Sequence, residues 1–156
     1  MAYVNVYPSG FALIGQMAVH GCYDMSQGAT DVDRGDVLYE VDGYADSGSS
    51  AFSNATLGVA AHDYDNSGGS DGDHTMKIIP FLSHLIWVAP IGNAALITRD
   101  AIGHVVDLHN DRTLDLADEA VEGYGFKIHS MDVSTEAVAA NTYGYAIGHV
   151  IGSPST

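Results

Sequence analysis

The hydrophobic and polar positions of this chain alternate over short runs, which Gly, Asn and Asp separate from one another. The clearest runs lie between residues 76 and 152, and they are MKIIPF, HLIWVAP, AALITRD, GHVVDLH, TLDLAD, YGFKIHSMDV and YGYAIGHVIG. Each run is short and rich in β-branched or aromatic residues, as strands are. The pattern predicts an all-β fold, either a small antiparallel barrel or a sandwich.

Two further strands are predicted before these runs, at residues 37–41 (VLYEV) and 56–61 (TLGVAA). Helical patterns are sparse. A two-turn helix over residues 114–121 (LDLADEAV) and a single turn over residues 98–101 are the best candidates. Neither is long enough to form a helical layer, so the helix content is expected to be minimal.

The pentapeptide AIGHV occurs twice, at residues 101–105 and 146–150. Five identical residues are too few to indicate a repeat architecture, which needs several units of supersecondary length. The pair instead predicts two similar strands, each with a glycine where two backbones approach closely or a bulge forms.

The chain of 156 residues is long enough for one domain with its own core. Residues 1–29 are predicted to form an N-terminal arm, and residues 30–156 the β-barrel domain. The first 23 residues contain no Asp, Glu, Lys or Arg, and high β propensity suits a segment that adds a strand to a partner's sheet. The alternative is that residues 1–29 form ordinary strands of the domain's own core.

No targeting or membrane segment is expected in this chain. The uncharged beginning lacks a basic region, and Pro8, Gly10 and Gly15 interrupt its apolar residues, which argues against a signal peptide. No apolar run approaches the roughly 20 residues that span a bilayer. These features predict a soluble protein.

The formal net charge of −15, from 20 acidic and 5 basic residues, limits the partners of the protein. Nucleic-acid binding needs Lys and Arg to displace phosphate counterions, and an anionic membrane would also repel this surface, so neither is expected as a partner. The charge favours docking onto a basic protein surface. The single cysteine, Cys22, excludes an intramolecular disulfide and a thiolate zinc site, which fits assembly in a reducing cytoplasm.

One acidic stretch resembles part of a calcium-binding loop. Asp63, Asp65, Ser67 and Gly68 match the opening positions of that spacing, and Asp71 falls at its ninth position. The twelfth position is His74, however, where the loop needs a bidentate glutamate. The main prediction is therefore a flexible, solvated loop with no metal, and no other cofactor is expected.

Catalytic motifs are also absent from the sequence. It has no G-x-S-x-G elbow, no phosphate-binding loop and no dinucleotide fingerprint. The histidines do not form H-x-H or H-E-x-x-H pairs, and they are His20, His62, His74, His84, His104, His109, His129 and His149. For each of them a structural role is expected. The protein is predicted not to be an enzyme, with no catalytic residues.

The order of the runs gives the strongest functional indication. The series GDVLYEVDGY, ATLGVAAHDYD, KIIPFLSHLIWVAP and NAALITRDAIGHVVDL, followed by TLDLAD, GYGFKI and NTYGYAIGHVIG, resembles the capsid decoration (cement or auxiliary head) proteins of tailed bacteriophages. The resemblance covers residues 35–152. It implies a small β-barrel or β-tulip-like fold without enzymatic activity.

The resemblance also implies a place in the virion. Such proteins bind the outside of the icosahedral head after expansion, often as homotrimers, and bridge subunits of the major capsid protein; they are assembled in the host cytoplasm. An N-terminal arm commonly reaches across capsid subunits, which suits the uncharged segment at the start of this chain. The predicted capsid-binding anchors are the exposed apolar residues of that arm: Tyr3, Val4, Val6, Tyr7 and Phe11.

The alternative function is a carbohydrate- or small-ligand-binding β-sandwich module. Its stacking platforms would be Trp87, Tyr124, Tyr143 and Tyr145, although strands also use aromatic residues for cores. A weakly active hydrolase is a third interpretation, supported only by the scattered acids and histidines.

Overall fold

The structure is a computed structural model that describes residues 10–14, 22–48, 50–82, 85–93, 101–119, 123–133 and 144–152. Within these ranges the chain forms thirteen β-strands and no α-helix, which confirms the all-β prediction. The strands are β1 (Ala12–Leu13), β2 (Tyr23–Ser26), β3 (Asp31–Val32), β4 (Val37–Val41), β5 (Tyr44–Asp46), β6 (Thr56–Ala60), β7 (Tyr64–Asp65), β8 (Thr75–Pro80), β9 (Trp87–Asn93), β10 (Val105–Asn110), β11 (Thr113–Glu119), β12 (Gly125–Val133) and β13 (Gly144–Ile151). No helix in the described part of the chain is long and apolar enough to cross a membrane.

Five strands of the C-terminal half close into a small barrel. Their order is β9-β11-β10-β12-β13, and β13 pairs back with β9 to complete the circle. All of these pairs are antiparallel except β9 with β11, which are parallel. Strand β1 extends the sheet by pairing with the first residues of β9. The prediction of a small barrel is therefore confirmed, with one parallel pair among the antiparallel ones.

A second sheet has the order β2-β8-β6-β4-β5 and curls on itself. A bridge between Gln27 and Ala45 brings the chain after β2 beside β5. The five residues of β6 are all buried, as expected for a strand with protein on both faces. Strands β3 and β7 form a separate two-stranded ribbon.

The two sheets enclose two hydrophobic clusters. Adjacent residues of β4 point to opposite faces, so Val37 enters the main core while Leu38 enters the second core. The main core consists of Phe11, Val37, Phe52, Val59, Phe81, Trp87, Ala89, Ile91, Val106, Leu108, Leu114, Leu116, Phe126, Ile128, Ala146 and Val150. The second core consists of Val32, Leu38, Ala45, Leu57, Ala60, Met76 and Ile78. The second sheet thus packs on the barrel through one face and surrounds its own small core with the other.

The helix predicted over residues 114–121 is wrong, because the described part of this segment is the strand β11. Leu114 and Leu116 are both buried in the main core, and β11 lies between β9 and β10. Two-residue alternation in a barrel therefore overrides the helical composition of the segment. Of the turn predicted over residues 98–101, the first three residues lie outside the described residues.

The two AIGHV copies differ in conformation. Residues 101–105 form a turn that enters β10, with Gly103 at a φ of 89°, whereas residues 146–150 lie within β13. The prediction of two similar strands is therefore wrong for the first copy. The prediction of a close backbone approach holds at Gly148, where a Cβ would lie 2.0 Å from the Lys127 carbonyl oxygen.

Candidate functional site

The described part of the predicted arm belongs to the domain's own sheets. Strand β1 pairs with β9 through Ala12 and Leu13, and β2 pairs with β8 over all four of its residues. For residues 10–14 and 22–29, the alternative of ordinary strands therefore describes the fold. Four of the predicted anchors lie outside the described residues, namely Tyr3, Val4, Val6 and Tyr7.

Phe11 is a core residue, so its prediction as an exposed capsid anchor is wrong. Its side chain is 4% exposed and makes edge-to-face contacts with the rings of Phe52, Phe81 and Phe126 at centroid distances of 5.8–6.3 Å. The cause is a contact between the backbones around Gly10 and Gly35, where the Phe11 amide donates to the Gly35 carbonyl oxygen at 2.9 Å. Together with the pairing of β1, this contact seats the ring in the main core.

The predicted calcium-loop residues do not converge on a common point. Asp63 Oδ1 accepts a hydrogen bond from the Arg34 amide, and Asp71 Oδ1 accepts one from the Ala29 amide, each at 2.8 Å. Asp65 Oδ1 accepts hydrogen bonds from the Ser67 amide and hydroxyl, which lower the pKa of that carboxyl. Each of the three carboxylates thus accepts a hydrogen bond from a different backbone amide. Over the described ranges, no group of three or more His, Cys, Asp and Glu side chains could hold a metal ion.

The base of the loop is anchored by two buried side-chain amides, which no motif in the sequence indicates. Asn66 is 1% exposed and donates through Nδ2 to the carbonyl oxygens of Gly28 and Ser70, at 3.0 and 2.9 Å. Gln27 is fully buried and donates through Nε2 to the carbonyl oxygens of Thr30 and Tyr64. Residues 67–75 are exposed. The loop is therefore solvated at its tip but fixed at its base.

Residues 29–34 and 63–73 together form what we call the acidic end of the molecule. Asp31 lies directly opposite Asp65 in the β3–β7 ribbon, an arrangement of like charges that is unfavourable in a sheet. Residues 22–77 contain 11 of the 20 acidic residues but only two of the five basic ones, so the negative charge is concentrated in this half. Of those two, Lys77 forms an ion pair of 2.9 Å with Asp24. The acidic end itself contains six aspartates and one basic residue, Arg34.

An ion-pair cluster joins the acidic end to the barrel. Arg112, in the β10–β11 turn, lies 2.7 Å from Asp36 through Nε and Oδ1, and it also pairs with Asp33. Asp36 is 1% exposed, and burial raises the pKa of its carboxyl to about 6, with a further contribution from the charge of Asp111. The Val37 amide donates to the Asp111 carbonyl oxygen at 2.6 Å in the same place. These contacts fix the second sheet against the barrel.

The aromatic residues of the alternative function are not arranged as exposed platforms. Trp87 is fully buried in the main core, so its prediction as a stacking platform is wrong; its position in β9 points it into the barrel. Tyr124 and Tyr145 are half-buried, and Tyr143 lies outside the described residues. The Trp87 indole N–H has no hydrogen-bond partner among the residues that the structure describes.

A cavity of about 240 Å³ lies where β1, the second sheet and the barrel meet. It is lined by Phe11, Ala12, Leu13, Arg34, Val59, Ala60, Ile79 and Trp87. Most of this lining is apolar, and Arg34 is its exposed, charged member. The site combines apolar walls with one cationic side chain and one buried indole.

Comparisons with protein-family models, with curated proteins and with solved structures find no match for this chain. Function is therefore inferred from its own residues and their geometry. The described residues offer three relevant features: a closed β-barrel, an acidic end and a small apolar cavity.

Proposed function

We propose that this protein is a structural component of a tailed-bacteriophage virion that binds the outside of the expanded icosahedral head. One observation carries the proposal: the sequence segments that resemble decoration proteins coincide with strands of the structure. Each run that resembles the decoration proteins overlaps at least one strand of the barrel or of the second sheet. The proposed protein bridges subunits of the major capsid protein, needs no cofactor and catalyses no reaction.

The acidic end is the proposed docking surface among the described residues. Carboxylates such as Asp31 and Asp65 repel each other in the isolated molecule, and a basic patch on the capsid would relieve that repulsion on binding. The same negative charge keeps the protein away from packaged DNA. This electrostatic support predicts that binding weakens as the salt concentration rises.

Residues before Gly10 remain the proposed second contact, with Tyr3, Val4, Val6 and Tyr7 as anchors. A homotrimer at a three-fold position would present three acidic ends and three such segments to neighbouring subunits. Multivalent attachment of this kind gives tight binding from individually weak contacts. The proposed location is the virion exterior.

Co-sedimentation with purified heads tests the proposal and the two contacts separately. Wild-type protein should pellet with expanded heads but not with unexpanded ones. Deletion of residues 1–9 should abolish binding without unfolding the domain, because the described strands begin after them. Failure of the wild-type protein to bind expanded heads would overturn the proposal.

A matched pair of charge reversals tests the acidic end. Asp31→Lys should weaken head binding at low salt at least about fivefold, because it reverses a charge within the acidic end. Glu40→Lys makes the same charge change at an exposed position of β4, opposite Ala45, and should have a much smaller effect. Equal effects of the two variants would contradict the docking surface.

The cavity beside Trp87 favours small-ligand binding as a second candidate function. An apolar molecule with a hydrogen-bond acceptor would suit the buried indole N–H and the neighbouring Arg34. Trp87 is the only tryptophan of the chain, so its fluorescence reports on the cavity directly. Saturable changes with small carboxylates that carry an apolar group, reduced in Arg34→Ala, would support this candidate, and unchanged emission would exclude it.

A further inference from the structure

Two histidines meet on the outer surface of the barrel, in strands that are far apart in sequence. His129 lies in β12 and His149 in β13, and His129 Nε2 is 2.7 Å from His149 Nδ1. The ring centroids are 4.8 Å apart and the planes are inclined by 62°. Two imidazole nitrogens therefore face the same point in space.

The register of the strands explains the meeting. Lys127 is opposite His149 and Ile128 is opposite Gly148, but the next pair is Ser130 with Ile147. His129 is thus the extra residue of a β-bulge, which places it near His149, beside a glycine that has no side chain to intervene. The spacing of the two histidines in the sequence does not predict this contact, because the contact depends on the register shift between β12 and β13.

His149 is half-buried and lies opposite Lys127 in the sheet. Burial lowers the pKa of the His149 imidazole, and the charges of His129 and Lys127 lower it further. His104 lies on the other side of β12, where its carbonyl oxygen accepts a hydrogen bond from the Ile128 amide.

We propose that His129 and His149 form a two-histidine site for a divalent transition-metal ion such as Zn²⁺. Imidazole nitrogen is a preferred ligand of zinc, nickel and copper. Two nitrogens on one tetrahedral zinc, each about 2.0–2.1 Å from the metal, are about 3.3 Å apart. Only a small opening of the present pair is needed, and it involves side chains at the barrel surface.

The metal replaces the hydrogen bond between the rings and joins β12 to β13. Water fills the remaining coordination positions, since no third His, Cys, Asp or Glu joins the pair within the described ranges. The bound ion stabilises the folded protein by mass action, because the unfolded chain does not hold the two rings together. This site is independent of the proposed function in the virion.

Zinc binding to the intact chain tests the site, with a chelator competition assay and thermal unfolding as two readouts. Wild-type protein should bind one Zn²⁺ per chain and unfold at a higher temperature in its presence, whereas Mg²⁺ and Ca²⁺ should have no such effect. Affinity should fall as the pH is lowered, because protons compete with the metal ion for imidazole nitrogens.

Single substitutions locate the metal. His129→Ala and His149→Ala should each lower the zinc affinity at least about tenfold, and His129→Gln and His149→Gln should do the same if an alanine variant fails to fold. His62→Ala is the control, since His62 is exposed and contacts Tyr64 instead. Equal zinc binding by all variants, or no binding by the wild type at about 1 mM Zn²⁺, would overturn the proposal.

Discussion

At the residue scale, Phe11 shows that a side chain packed in the core is not accessible to a binding partner. Its ring is surrounded by other rings in the main core. Phe11→Ala should therefore lower the free energy of unfolding by about 3–5 kcal/mol, as expected for loss of a buried phenylalanine. Urea denaturation measures this, with Ile14→Ala as the control because Ile14 is 44% exposed. Similar stability of the two variants would contradict the core assignment.

Asp36 gives the stability of the protein a defined dependence on pH. Because its pKa is raised from 3.8 to about 6, the folded state binds a proton more readily than the unfolded chain between these values. The resulting stabilisation is fully present below pH 3.8 and is lost as the pH rises through about 6. The shift corresponds to up to about 3 kcal/mol.

Asp36→Asn removes this titration while Arg112 keeps its ion pair with Asp33. The free energy of unfolding of the wild type, minus that of the variant, should therefore decrease by about 2–3 kcal/mol between about pH 4 and about pH 7. His149 has a lowered pKa and acts in the opposite direction, losing stabilisation as the pH falls below 6.5, but it cancels in the difference. A pH-independent difference would contradict the buried carboxyl.

At the scale of elements, glycines set how closely neighbouring strands approach. A Cβ on Gly58 of β6 would lie 2.2 Å from the Ile79 carbonyl oxygen of β8. Gly58→Ala should destabilise the protein by about 1–3 kcal/mol, because the strands must separate. Gly68→Ala is the matched control, since nothing lies within 4 Å of its Cβ position, and should change stability by less than about 0.5 kcal/mol. Thermal unfolding of both variants checks this, and equal midpoints would be inconsistent with it.

The sequence predicts elements well where alternation and composition agree. Strands β4, β6, β8, β9, β10, β12 and β13 follow the short apolar runs closely. Strand β11 coincides with the run TLDLAD, but its acid- and alanine-containing sequence also suits a short helix. The burial of Leu114 and Leu116 in the main core decides in favour of the strand. The burial of Phe11 and the meeting of His129 with His149 depend on long-range pairing and a register shift, which local patterns do not contain.

At the scale of the whole molecule, the barrel and the second sheet have different roles. The barrel and the main core give rigidity, while the second sheet carries the acidic end, and the cluster around Arg112 holds the two together. The net charge and the absence of catalytic motifs were evident from the sequence. The concentration of carboxylates around residues 29–34 emerged only from the pairing of β3 with β7 and the anchoring of the loop.

The number of protein copies bound per head at saturation tests the central claim most directly. Purified protein is titrated onto expanded and unexpanded heads, and the pelleted complexes are quantified. The proposed virion role predicts saturation at a fixed stoichiometry on expanded heads, little binding to unexpanded ones, and heads that withstand higher temperatures once saturated. Absence of saturable binding to expanded heads would contradict that role and leave the all-β fold with its cavity as the starting point for another function.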